Sequence, residues 1–174
     1  MKRRKKRQNG YCGKRGRRTS TPILEVDLLY AALDPEDRHH RIARRTLSFI
    51  KKRKMPNVKV DSLALHELEL NLKTGNILIK GSKATPRDIA KFFTDLNRLL
   101  SLYRMEILPL TCPQIAKAAD LRGKHKLSFY DSHHASTALL YDSKIISTDT
   151  TYDNIKDLTR IDPYILKSTR SERS

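Results

Sequence analysis

Short apolar runs alternate with amphipathic helical patterns along this chain, and the alternation is what most restricts its fold. The segments PILEV, NVKV, EILPL and KIIST are typical of short buried strands. Between them, apolar residues recur at spacings of three and four, most clearly over residues 89–103, which predicts amphipathic helices. Strands that alternate with helices predict an α/β fold with a central, mostly parallel sheet.

Prolines, glycines and capping residues predict where the helices begin and end. Pro35 with the neighbouring acids predicts a helix over about residues 36–53, and Gly75 is predicted to end the next one. Thr85 and Pro86 mark the start of a third helix. A fourth is predicted over residues 111–122 with Gly123 as its stop, a fifth over LSFYDSHHASTALLYD, and a last edge strand in RIDPYIL.

Four acidic residues stand at the edges of these apolar runs. They are Asp27 in ILEVDLLYAAL, Glu67 in SLALHELEL, Asp131 in LSFYDSHHASTALL and Asp149 in KIISTDTTYD. A carboxylate in such a place is costly to bury unless a counter-charge compensates. Asp27 and Asp149 are predicted at strand carboxyl ends, where open parallel sheets carry their sites, and the other two near helix starts. We therefore expect the four carboxylates to share a divalent cation.

Each of these acids also has a purely structural interpretation. Asp27 and Asp149 could be turn residues, Asp131 could be a helix N-cap, and Glu69 competes with Glu67 for its role. The pairs His39-His40 and His133-His134 do not favour a zinc site, because adjacent helical residues point apart and no Cys or HExxH spacing accompanies them.

The first 20 residues form a basic arm that is separate from the predicted domain of residues 21–174. The arm holds ten Lys or Arg and no acid, and so supplies +10 of the net charge of +17. Such a block attracts nucleic-acid phosphates and can stack an aromatic ring on a base, although it could also be a solubilising or localising tail. The predicted RNA-binding residues are Lys2, Arg3, Arg4, Lys5, Lys6, Arg7, Tyr11, Lys14, Arg15, Arg17 and Arg18.

Composition excludes several other classes of protein. No apolar run approaches the roughly 18–20 residues that span a bilayer, and the basic N-terminus lacks the apolar segment of a secretory signal. Cys12 and Cys112 are too few and too far apart in sequence to form a disulfide framework. We expect a cytoplasmic protein that does not contact a membrane.

The acidic series resembles that of the PIN domain, the fold of VapC-type toxins and of several RNA-processing nucleases. The resemblance covers residues 22–163 and includes SFYD-x3-A-x2-A at Asp131 and Ser147-Thr148-Asp149 followed by Tyr152. It implies a three-layer α/β/α fold and Mg²⁺- or Mn²⁺-dependent cleavage of single-stranded RNA. Asp27, Glu67, Asp131 and Asp149 would be the catalytic, metal-binding carboxylates. Many relatives carry another Asp two residues after the fourth acid, where this chain has Thr151, and Asp153 is the candidate to replace it as a metal ligand.

Two functions follow from these observations. The first is a metal-dependent endoribonuclease, either the toxin of a toxin–antitoxin pair with an antitoxin partner, or an RNA-processing enzyme. The second is a non-catalytic or weakly catalytic RNA-binding protein that the arm anchors on rRNA or the ribosome. The carboxylates favour the first function, and the arm favours an RNA-processing or ribosome-bound role. A homodimer is compatible with both.

Overall fold

The computed structural model describes residues 20–52, 55 and 57–166. Five parallel strands form the central sheet in the order β5-β2-β1-β6-β7, and β3 and β4 form a separate antiparallel hairpin. The strands are β1 (Ile23–Leu24), β2 (Lys59–Asp61), β3 (Leu78–Ile79), β4 (Ser82–Lys83), β5 (Glu106–Leu108), β6 (Lys144–Ile146) and β7 (Thr159–Ile161). The helices are α1 (Val26–Leu33), α2 (His40–Lys51), α3 (Ser62–Thr74), α4 (Pro86–Tyr103), α5 (Cys112–His125), α6 (Phe129–Tyr141) and a 3₁₀ helix (Thr150–Asn154).

Alternate residues of the strands face two separate cores, which makes the fold the predicted three-layer α/β/α arrangement. Leu24 and Ile146 pack with helices α1 to α4 on one face of the sheet. Their neighbours Ile23 and Ile145 pack with α5 and α6 on the other face. All four side chains are at most 1% exposed, as expected for parallel strands covered on both faces.

The structure confirms most of the predicted helix ends. Thr85 and Asp88 form a reciprocal capping box at the start of α4, and Gly75 ends α3 with a φ of 86°. Gly123, in contrast, lies inside α5, which continues to His125. The prediction of a stop there was wrong because a helical glycine is tolerated where nothing else ends the helix.

Three other sequence predictions need correction. The first strand ends at Leu24, so Asp27 lies in the first turn of α1 and not at a strand end. The helix predicted over about residues 36–53 is α2, and it begins only at His40. Residues 35–39 instead form turns in which Asp37 accepts a hydrogen bond from the His39 amide. The β3–β4 hairpin was not predicted, since its two strands have only two residues each. None of the helices in the described residues is long and apolar enough to cross a membrane.

Candidate metal centre

An acidic cleft of about 960 Å³ opens at the carboxyl edge of the sheet. Its lining includes Asp27, Glu67 and Asp149, so three of the four predicted acids face one cavity. The lining contains one Lys or Arg, which is Arg38, and seven acids. The acids are Glu25, Asp27, Asp34, Glu36, Asp37, Glu67 and Asp149. A cleft with this charge balance favours cations and repels a bare phosphodiester.

Glu25 was missed by the sequence analysis, although it follows β1 directly. Its side chain is 5% exposed and lines the cleft. The Tyr152 hydroxyl donates to Glu25 Oε1 at 2.8 Å, whereas Glu25 Oε2 has no hydrogen-bond partner within the part of the chain that the structure describes. The nearby Ser147 hydroxyl favours the ionised form of Glu25. Burial, with the neighbouring charge of Asp27, raises the pKa of Glu25 to about 8. The signal available in sequence was an acid at the end of the apolar run PIL, two residues before Asp27.

Asp27 is held rigidly beside Glu25. Thr148 Oγ1 donates to Asp27 Oδ2 at 2.5 Å, and the Leu28 amide donates to Asp27 Oδ1 at 2.6 Å. Burial raises the pKa of Asp27 despite these hydrogen bonds, which lower it. Two neighbouring carboxyl groups with raised pKa values favour either a shared proton or a bound cation.

Asp149 lines the cleft, and Asp131 lies near it, since both carboxylates act on Tyr152. Asp149 caps the 3₁₀ helix by accepting from the Thr151 amide at 2.8 Å. Asp131 lies in the first turn of α6, whose N-cap is Ser128, and is not among the described residues that line the cleft. Burial raises the pKa of Tyr152, and the charges of Glu25, Asp131 and Asp149 raise it further, so all three carboxylates lie near this hydroxyl.

Glu67 forms an ion pair with the buried His134. The distance from His134 Nε2 to Glu67 Oε2 is 2.9 Å, and the imidazole is 1% exposed. Its Nδ1 lies 3.7 Å from Asp61 Oδ2, which is too long for a hydrogen bond but close enough for charge attraction. Burial lowers the pKa of His134, but the carboxylates of Asp61 and Glu67 outweigh it and raise the value to about 10. The site therefore contains its own cation at neutral pH.

Asp61 is a second buried acid that the sequence analysis missed. It ends β2 and caps α3 by accepting from the Leu63 amide at 2.8 Å. Thr137 Oγ1 donates to Asp61 Oδ2 at 2.5 Å. Burial raises the pKa of Asp61, but His134 and Thr137 outweigh it and lower the value. Its position at the end of the predicted strand in NVKVDS could have identified it, because Asp27 and Asp149 were chosen as acids at predicted strand ends.

Asp153 is paired with a cation instead of facing the cleft. Both of its carboxylate oxygens accept from Arg160, at 2.8 and 2.9 Å, and this pairing lowers its pKa. The role of Asp153 as a metal ligand stays a prediction without geometric support. The predicted RNA-binding residues 2–18 lie outside the described residues.

The donors around the cleft fit Mg²⁺ or Mn²⁺ in kind, because they are carboxylate and hydroxyl oxygens. The unpartnered oxygen of Glu25 also fits, since a buried carboxylate oxygen normally has a partner. Within residues 20–52, 55 and 57–166, however, no three His, Cys, Asp or Glu side chains are arranged to hold an ion. Binding a metal would therefore require side-chain movement at this site.

The PIN-domain family model matches residues 23–158, and the chain therefore belongs to the PIN-domain family, whose members are generally nucleases and typically depend on divalent metals. No curated protein sequence matches the chain. One similar solved structure is FitAcB from Neisseria gonorrhoeae, at 19% identity and a TM-score of 0.60, covering 84% of this chain and 100% of that one.

Two further structures share the fold. A toxin–antitoxin complex from Klebsiella pneumoniae has 16% identity and a TM-score of 0.56, covering 83% of this chain and 98% of that one. VapBC2 from Rickettsia felis, bound to a DNA fragment from their promoter, has 16% identity and a TM-score of 0.59, covering 81% and 97%. At these identities the likeness shows the fold and not the activity.

The substitution Glu25→Gln is expected to stabilise the metal-free protein at pH 8, by about 1–3 kcal/mol in the free energy of unfolding. Because the pKa of Glu25 is raised from 4.5 to about 8, the folded state keeps a proton that the unfolded state loses. Wild-type stability should thus fall as the pH rises from 4.5 to about 8, and the glutamine variant should lose that part of the dependence. Urea denaturation at both ends of this range measures the effect.

The exposed Glu69 provides the matched control, since Glu69→Gln removes a carboxylate from the same protein without touching the cleft. Identical pH profiles for wild type and Glu25→Gln would show that Glu25 is ionised in the folded protein.

Proposed function

We propose that this PIN-domain protein is an Mg²⁺- or Mn²⁺-dependent endoribonuclease that cleaves single-stranded RNA. The observation that carries the proposal is the buried Glu25, which lines the same cleft as Asp27, Glu67 and Asp149 and whose Oε2 has no hydrogen-bond partner among the described residues. Burying a carboxyl oxygen without a hydrogen-bond donor costs stability, and a cation site explains the cost.

The carboxylates of Glu25, Asp27, Asp149 and Asp131 would hold the metal, with Glu67 as a further ligand through its second oxygen. A bound divalent ion supplies Lewis-acid stabilisation of the phosphodiester and lowers the pKa of a bound water. The neighbouring residues keep these carboxylates in place: Thr148 holds Asp27, Tyr152 holds Glu25 and His134 holds Glu67. Ser147 Oγ, which accepts from the Asp149 amide at 2.8 Å, orients the loop that carries Asp149.

The basic arm would supply RNA affinity that the acidic cleft cannot. Ser20 Oγ donates to Asp142 Oδ2 at 2.6 Å just before β1, at the end of the sheet opposite to the cleft. The 19 residues before Ser20 could span at most about 60 Å if extended, enough to contact RNA on either side of the domain. This charge supports a target that is large and structured, such as rRNA within or outside the ribosome.

An antitoxin partner is also part of the proposal. The similar structure from Klebsiella pneumoniae is a toxin–antitoxin complex, and the VapBC2 structure contains a DNA fragment from their promoter. A small neighbouring gene whose product binds this chain would support a toxin role. A cytoplasmic setting and a homodimer remain parts of the proposal that need measurement.

A non-catalytic RNA-binding protein is the second candidate function. The ion pair between Glu67 and His134 favours it, because that pair satisfies one predicted metal ligand with a side chain of the protein itself. The described residues also contain no three His, Cys, Asp or Glu side chains arranged to hold an ion, which favours this candidate as well.

Cleavage of single-stranded RNA with Mn²⁺, with Mg²⁺ and with EDTA separates the two candidates. The nuclease should cleave internally in either metal and lose activity in EDTA. RNA binding without metal-dependent cleavage would support the second candidate, and cleavage that persists in EDTA would contradict the proposed chemistry. The variant Asp27→Asn ties the activity to this cleft.

Deleting residues 2–19 while keeping Ser20 is expected to weaken RNA affinity about tenfold or more at moderate salt. The reason is that phosphate contacts release counterions, so that the plot of log affinity against log salt should also become less steep. Fluorescence anisotropy over a salt titration measures both quantities. An unchanged slope would show that the arm does not contact RNA.

A further inference from the structure

A second cavity, here called the hairpin pocket, lies between the β3–β4 hairpin and the start of α4. Its volume is about 540 Å³, within the roughly 300–1,000 Å³ typical of small-ligand sites. Leu33, Ile79 and Phe92 form its apolar wall, and Lys80, Ser82 and Lys83 line the hairpin side.

The hairpin pocket adjoins the acidic cleft through a shared wall. Tyr30 and Asp34 line both cavities. The Tyr30 hydroxyl donates to Asp34 and lies 3.1 Å from the carbonyl oxygen of Leu78, which ties the wall to the hairpin. The Tyr30 ring packs on Phe92 with centroids 6.1 Å apart. A polynucleotide that crosses the cleft would therefore meet this pocket at a neighbouring nucleotide.

The hairpin pocket is lined by three lysines and three acids, whereas acids dominate the lining of the cleft. Lys91 is engaged by Asp95 at 2.5 Å, and Asp88 is engaged in the capping box with Thr85. Lys80 and Lys83, in contrast, form no salt bridge within the described part of the chain. Two ammonium groups outside any of these salt bridges, although Lys80 is near the Asp88 carboxylate, stand beside an apolar wall and suit a ligand that combines a phosphate with a flat apolar ring.

Backbone geometry fixes where these two lysines stand. Lys80 and Gly81 are the central residues of the hairpin turn, with φ values of 51° and 74°, as a two-residue turn of this kind requires. The methylene stem of Lys83 lies against Gly75, where a β-carbon would be 3.5 Å from Lys83 Cγ. Lys80 thus extends from a tight turn, and the side chain of Lys83 is packed along its methylene groups.

We propose that the hairpin pocket binds one unpaired nucleotide of the RNA substrate, with the base against Leu33, Ile79 and Phe92 and a phosphate near Lys80 and Lys83. This inference rests on the proposed nuclease function and adds a subsite to it. The base must be unpaired to enter, because stacked bases within a duplex do not present their faces. The subsite would give the enzyme its preference for single strands and position the next phosphodiester over the carboxylates.

Abasic substitution in a short labelled RNA tests the subsite directly. Fluorescence anisotropy compares the intact oligonucleotide with versions that lack one base at successive positions, using the full chain and Ca²⁺ in place of Mg²⁺, since Ca²⁺ takes the same oxygen ligands. All versions carry the same phosphates, so the arm contributes equally to each. Loss of the base at one position should weaken wild-type binding about tenfold.

Two variants locate the effect in the hairpin pocket. Ser82→Trp should fill the pocket, so that removal of the base weakens binding to this variant by less than about twofold. The effects of the substitution and of base removal should not add, because both act on the same contact. The double change Lys80→Asn and Lys83→Gln, which keeps a residue that tolerates positive φ in the turn, should weaken binding of intact and abasic RNA alike. The control Lys156→Gln removes an exposed lysine that lines neither cavity. Circular dichroism and thermal melts verify folding.

Equal affinity of wild type for intact and abasic RNA would overturn the proposal, as would a full abasic penalty in Ser82→Trp. An unaltered affinity in the lysine double variant would contradict the proposed phosphate contact with Lys80 and Lys83. The binding result does not depend on catalysis, so failure of the nuclease assay with a positive abasic penalty would overturn only the proposed function.

Discussion

Asp27→Asn and Asp131→Asn are each expected to lower metal-dependent RNA cleavage by about 100-fold or more, because a metal ligand contributes several kcal/mol to the transition state and each 1.4 kcal/mol is tenfold in rate. Asparagine keeps the shape of the side chain and removes its charge. Single-turnover cleavage measured across a Mn²⁺ titration gives both the rate and the metal dependence. A lost ligand should raise the metal concentration needed for half-maximal rate as well as lower the maximum.

Two matched variants make this test specific. Asp120→Asn removes an exposed carboxylate that pairs with Lys124 on α5 and does not line the cleft, and it should leave the rate within about twofold. Asp153→Asn asks whether the acid bound to Arg160 takes part in metal binding. A wild-type rate in Asp27→Asn would contradict the assignment of this cleft as the active site, and a wild-type rate in Asp131→Asn would exclude Asp131 as a metal ligand.

His134→Leu is expected to lower the free energy of unfolding by about 3–5 kcal/mol at pH 7, since it leaves Asp61 buried without its counter-charge. Asp61 is fully buried, so water cannot replace the imidazolium. Because the pKa of His134 is raised from 6.5 to about 10, its contribution is complete below pH 6.5 and is lost as the pH rises through about 10. Urea denaturation of wild type and variant at several pH values measures the difference.

His133→Leu is the matched control for that change. His133 is as buried as its neighbour, at 2% exposed, but forms no ion pair with any described residue, and burial lowers its pKa. The control should cost clearly less than His134→Leu and should show no comparable dependence on alkaline pH. Equal losses in the two variants would mean that packing, and not charge, accounts for the role of His134.

The pattern of apolar runs and caps was enough to predict most elements of the fold. Residues 86–103 carry an apolar stripe with a capping box at its start, and α4 forms over that range. The two-residue strands of the hairpin carry too few side chains for a periodic signal, which is why the hairpin pocket had no counterpart in the sequence analysis.

The candidate site was only partly predictable. Asp27, Glu67 and Asp149 do line one cleft, as the rule for parallel sheets suggested. Glu25 was overlooked because a strand end can shift by two residues without any change in the apolar run around it. The pairing of His134 with Glu67 joins residues 67 positions apart, and nothing local in either segment indicates the other.

The sequence by itself determined the α/β class, the helix boundaries set by Thr85, Pro86 and Gly75, and the concentration of positive charge in the arm, since each depends on residues close together along the chain. The tertiary structure alone decided which acids face the cleft, which are satisfied by His134 or Arg160, and where a second cavity adjoins it. The reason is physical: the burial and ionisation of a carboxylate depend on the groups around it in space, and packing brings those groups from distant segments.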